Sequence, residues 1–152
     1  MSIDARLSEL NITLPNAPAP AANYVPYVRT GNLLFVSGQI AAGADGLIKG
    51  RLGHDMDTAA GAAAARACGL SLMAQARAAL GSLDRVARVV KLTGFVASTP
   101  DFTDQPEVIN GCSDLMVEVF GDCGRHARAA VSAPSLPRGV AVEIEAVFEI
   151  EG

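Results

Sequence analysis

Near the end of the chain, in "VAVEIEAVFEI", apolar and polar positions alternate. Val140, Val142, Ile144, Ala146, Phe148 and Ile150 fall on one side of an extended backbone, and Glu143, Glu145, Val147 and Glu149 on the other. This predicts a half-buried strand with the first set in the core. In "HARAAVSA", residues 126–133, His126, Arg128, Ala130 and Ser132 share one face and Ala127, Ala129, Val131 and Ala133 the other, and "SLPRG" joins the two strands. Upstream, "YVPYVRTGNLLFVSGQIA" places aromatic and β-branched residues on either side of Thr30-Gly31-Asn32, which predicts a hairpin. "GADGLIKGRLG" adds a turn at Asp45-Gly46 and a short edge strand, and the valine-rich "RVARVVKLTGFVAS" reads as a largely buried strand.

Helical spacing governs the remainder. From about Asp57 to Leu80 the chain is alanine-rich, with Ala63, Ala67, Leu70, Met73, Ala74 and Leu80 recurring at helical intervals and Gly81-Ser82 as the stop. A second helix is expected after the turn residues of "TPDFTDQP", with Val108, Cys112, Leu115, Met116 and Val119 on its apolar side. Ile3 to Leu10 predicts a short helix capped by Ser2, an appendage tied to the body by "LPNAPAPAANYVP", whose prolines favour extended chain. The resulting division is residues 1–22 as extension and linker, and 23–152 as the domain proper.

The order β-β-(β)-α-β-α-β-β predicts a single-domain α+β fold, one sheet with both helices packed on one face. Its other face, with apolar side chains between charged ones, is then expected to be buried against further copies of the chain. Composition agrees: half of the 152 residues are hydrophobic, 18% are charged and mean hydropathy is +0.30, an apolar balance for a small protein with a wet surface. No run reaches the roughly 18 uncharged apolar residues of a membrane span, and "MSIDARLSEL" has neither a basic nor an apolar leader region, so a cytoplasmic protein is expected.

Cys68, Cys112 and Cys123 follow no paired spacing and His54 and His126 are the only histidines, so reduced thiols and no metal site are expected. A net charge of −4, a pI near 5.1 and only two lysines, Lys49 and Lys91, argue against a nucleic-acid surface, which must neutralise several phosphates.

Arg128 remains as the candidate for chemistry. It stands among alanines, so there is room in front of a guanidinium whose planar donors match a carboxylate bidentately. The plain alternative is an ion pair with a glutamate on an adjacent strand.

Taken in order around two helices, "TGNLLFVSGQI", "HARAAV" and "LPRGVAVEIEAVFEI" resemble the YjgF/Rid family of reactive-intermediate deaminases, also known as endoribonuclease L-PSP, in its longer-chain branch with an N-terminal extension. The resemblance runs over roughly Asn23 to Glu151. It implies a chorismate-mutase-like α+β fold, a homotrimer with its sheets around a barrel-like core, and ligand sites between subunits. It further implies cofactor-independent hydrolysis of 2-imino and 2-enamino acids to 2-oxo acids and ammonia. Residue by residue, Arg128 matches the family's carboxylate-binding arginine and Glu143 the glutamate associated with the attacking water. Glu145, on the same face, is an alternative base. Tyr27, Ser37, Gly38 and Gln39 match further pocket positions, and Asn110 matches a helix asparagine near the cleft.

Two positions depart from the family pattern. Ala129 replaces a frequent Ser or Thr and Ala130 a frequent Cys, which removes polar contacts bearing on ligand choice and leaves the anchor in place. A non-catalytic member that only senses a small carboxylate is the second functional class, needing Arg128 but not Glu143. An endoribonuclease is the weakest reading, given the acidic pI and scarce lysines.

Overall fold

A computed structural model of the chain describes residues 1–20 and 22–151. The elements follow the expected order. Helix α1 spans Ile3–Glu9; strands β1 and β2 span Tyr27–Thr30 and Leu33–Ile40; the two-residue strands β3 and β4 are Ala42–Gly43 and Gly46–Leu47. Helix α2 is Thr58–Leu80, β5 is Val86–Ala97, α3 is Gln105–Phe120, β6 is Ala127–Ala133 and β7 is Val142–Ile150. The main sheet has the order β1-β2-β7-β5-β6 and is antiparallel except between β5 and β6. That parallel pair needs a crossover, which α3 supplies.

Local chemistry accounts for the element ends. The Asp57 carboxylate accepts from the Ala60 N–H at the start of α2, and Gly81 closes the helix in the left-handed conformation at φ 82°. Gly111 allows α3 to lie directly on α2, because a Cβ there would overlap the Ala62 carbonyl. β7 alternates as expected: Val142, Ile144, Ala146, Phe148 and Ile150 are buried, while Glu145 and Glu149 are exposed. The apolar side of α3 is also as expected.

Two expectations are corrected. On α2, Met73, Ala74 and Leu80 are buried as expected, but Ala63 is exposed and Ala67 and Leu70 are only half-buried, while Ala64, Ala65, Cys68, Leu72 and Ala76 are buried. An alanine run carries little periodicity, so the phase of its buried stripe is set by the sheet beneath it and not by the sequence. The N-terminal helix is no appendage either, since Leu7 and Leu14 join the common core, the Arg6 Nε–H donates to the Glu118 carbonyl and the Ile3 N–H to Asp84.

Helices cover one sheet face. Following the register, the opposite face carries Val28, Phe35 and Val131, exposed by 52, 43 and 44%, interspersed with Lys91, Glu145 and Glu149. No described helix is long and apolar enough to cross a membrane.

Candidate functional site

Arg128 lies near the start of the edge strand β6, in register with buried Leu92, and therefore points to the helix side of the sheet. It reaches α3. Its Nη1 donates to Asn110 Oδ1 at 2.8 Å and to Ser113 Oγ at 3.1 Å, and its Nη2 donates to the Pro106 carbonyl at 3.3 Å. All three partners are neutral, and no carboxylate among the described residues forms an ion pair with it. The cross-strand pair considered above is ruled out by topology, because β5 intervenes between β6 and the glutamates of β7. Asn110, Ser113, Arg125, His126 and Arg128 line a shallow cavity of about 310 Å³. Burial pushes the Cys112 thiol up to about 12, with the Arg128 charge acting in the opposite direction.

Glu143 faces the other side. A bulge between Val36 and Gln39 sets Ser37 and Gly38 against the single residue Glu145. The Glu143 carboxylate lies over this bulge, so near that a Cβ on Gly38 would stand 2.7 Å from Oε2. Burial, and then the like charge of Glu145, hold the half-buried Glu143 carboxyl above its ordinary range. The bulge also turns Gln39 inward, where its Nε2 donates to the Ser37 carbonyl at 2.9 Å and its Oε1 accepts from Gln75 at 3.4 Å.

Around Glu143 is a cavity of about 660 Å³ that includes Ser37, Gly38, Gln39, Gln75, Arg138 and Glu145. Its outer wall is the proline-rich segment: Gln75 Nε2 donates to the Pro18 carbonyl at 2.6 Å, the Ser37 hydroxyl to Val25 at 2.8 Å and the Ser37 N–H to Pro26 at 2.9 Å. Tyr24 lines this cavity. Tyr27 lines neither cavity; it pairs with Val36 and packs against the core.

Apart from Tyr27, the expected residues thus form two separate groups: Arg128 with Asn110, on β6 and α3, and Glu143 with Ser37, Gly38 and Gln39, on β7 and β2. Within one chain neither group reaches the other. Ser113, His126, Gln75 and Tyr24 were not among the candidates; His126 and Ser113 are separated by 13 residues, a spacing with no motif value. Among the described residues no group of three or more His, Cys, Asp or Glu side chains is placed to hold a metal ion.

This arrangement of sheet and helices has known counterparts. A family model described as "YjgF/chorismate mutase-like, putative endoribonuclease" matches residues 4–148. The chain belongs to the YjgF/chorismate mutase-like family. The Trypanosoma cruzi protein TCP17 is 52% identical over 97% of this chain and 94% of its own length. A RutC family protein of Sinorhizobium fredii, y4sK, is 32% identical over 91% of this chain and 96% of its own. The crystal structure of Atu1372 from Agrobacterium tumefaciens, a protein of unknown function, superposes with a TM-score of 0.90 at 48% identity, covering 99% of this chain and 94% of that one. The YjgF match begins within α1, in keeping with the packing of that helix into the core.

Proposed function

We propose that this YjgF-family chain hydrolyses short 2-imino and 2-enamino acids to 2-oxo acids and ammonia, without a cofactor, at sites between the subunits of a homotrimer. The observation that carries the reading is the state of Arg128: a half-buried guanidinium held by three neutral acceptors, with no carboxylate of the described chain paired to it and donors on Nε and Nη2 uncommitted. Adjacent donors of this kind fit a carboxylate oxygen pair. In the proposed closed trimer the exposed sheet faces are apposed, and the β6 edge of one subunit meets the bulge of the next. The same apposition buries Val28, Phe35 and Val131.

In such a cleft Arg128 holds the substrate carboxylate and Glu143 receives the proton from a water whose oxygen adds to the protonated imine carbon. The resulting carbinolamine takes the proton on nitrogen, loses ammonia and gives up its hydroxyl proton as the ketone forms. Water is consumed, ammonium is released and no electrons are exchanged. A carboxyl whose pKa is raised by burial and by a neighbouring carboxylate is suited to accept and return one proton within a cycle.

The test is ammonia release from imino acids generated in situ from amino acids, with no metal or nucleotide added. Arg128→Ala is expected to lower kcat/KM by at least tenfold, the loss of about 1.5–3 kcal/mol for a charge-assisted contact. Arg128→Lys should recover little, because an ammonium lacks the fork. Glu143→Gln should reduce kcat by about 10²–10⁴-fold while 2-oxo acid binding persists. Binding through Arg128 with no acceleration across a panel of imino acids would replace the enzyme with a carboxylate-binding module.

A further inference from the structure

We infer that His126 is a positioning residue that fixes the orientation of Arg128 through Ser113; the inference rests on the reading of Arg128 as the carboxylate anchor. His126 Nδ1 lies 2.6 Å from the Gly124 carbonyl oxygen. A carbonyl can only accept, so Nδ1 carries the hydrogen, and in that tautomer Nε2 is left as an acceptor. Ser113 Oγ stands 2.9 Å from Nε2 and donates its hydroxyl hydrogen to it. This turns the serine lone pairs toward Arg128 Nη1 at 3.1 Å. The other Nη1 hydrogen is taken by Asn110 Oδ1 at 2.8 Å.

The consequence follows from the shape of guanidinium. It is planar, so holding both hydrogens of Nη1 and one of Nη2 sets the plane and leaves the Nε–H and the remaining Nη2–H as a forward pair. Without the imidazole, the Ser113 hydroxyl is free to rotate, and its hydrogen, in place of its lone pairs, can turn toward Arg128. One of the two contacts on Nη1 is then lost. His126 does not need to touch the ligand for this; it acts by removing the competing use of one serine hydrogen.

Three variants test it in the full-length protein: His126→Phe, which fills the space and accepts nothing, His126→Gln, whose amide oxygen can take the Ser113 hydrogen, and Ser113→Ala. Pyruvate affinity is measured by calorimetry, alongside kcat, KM and thermal melting. His126→Phe is expected to weaken pyruvate binding and raise KM by about three- to tenfold, the range of one neutral hydrogen bond, with kcat and melting little changed. His126→Gln should restore most of the affinity, and the double variant of His126→Phe with Ser113→Ala should be no worse than either of those two single ones. Nitrogen-15 spectra of the wild type should show the Nδ1–H tautomer.

An Nε2–H tautomer, unchanged affinity in His126→Phe, or additive losses in the double variant overturns the relay. Where His126→Phe fails to fold, Ser113→Ala, the Gln variant and the tautomer decide. Arg128→Ala separates the two levels: if it abolishes pyruvate binding while the His126 variants are silent, only the relay falls. If it leaves binding intact, the anchor reading falls and the relay with it.

Discussion

Gly38→Ala is a small change with a sharply divided expected effect. Gly38 has no left-handed backbone requirement, so alanine can take its φ without strain and gains about 0.4–1 kcal/mol from a less flexible unfolded chain. The added methyl would stand 2.7 Å from Glu143 Oε2, 3.1 Å from Cδ and 3.3 Å from Cγ. All three atoms belong to one flexible side chain. The carboxylate therefore gives way, by about 1 Å, and the backbone stays in place. Stability is expected to change by less than about 1 kcal/mol, a shift of melting temperature within about 2–4 °C. A misplacement of that size at a group that directs a water costs on the order of 10²-fold in turnover. Melting curves, pyruvate calorimetry and ammonia-release kinetics on the same preparation give the comparison. A melting loss beyond 10 °C would mean the bulge cannot yield as described, and a normal kcat in a folded variant would mean the Glu143 carboxylate is not the group that handles the water.

Two further outcomes are expected. If Glu143 acts as a base it must be ionised, so kcat should fall as pH drops through a value above the ordinary carboxylate range; Glu145→Gln, by removing the like charge, should move that limb to lower pH, as a pH series of initial rates would show. Sedimentation at micromolar concentration should give three times the 15.6 kDa chain mass, and Phe35→Glu should yield smaller or insoluble species, because a charge is then set in the middle of the apolar sheet face.

Legibility of the sequence followed the physics of each signal. The β7 alternation reported its buried face correctly because period two leaves no ambiguity once one residue is assigned, and Asp57 and Gly81 marked the ends of α2 because caps are local chemistry. The alanine stripe of α2 could not be phased, since identical small side chains carry no contrast. Arg128 was visible by its surroundings, but its reach to Asn110 and Ser113 depends on how α3 crosses from β5 to β6. The inward turn of Gln39 follows from a bulge that strict alternation does not anticipate, and the separation of Arg128 from Glu143 follows from β5 lying between their strands.

The contact between Gln75 and the N-terminal segment bears on how such chains diversify. Gln75 is 1% exposed, and its amide meets the Pro18 carbonyl at 2.6 Å, with only a long 3.4 Å contact to Gln39 besides. In a relative whose chain begins later, the amide loses both this partner and the wall that covers it, and nothing then selects a glutamine at that position. Leader and glutamine are therefore expected to be inherited together and lost together, so that the residue at this one helix position reports whether a given relative still wears the proline-rich wall over its glutamate cavity.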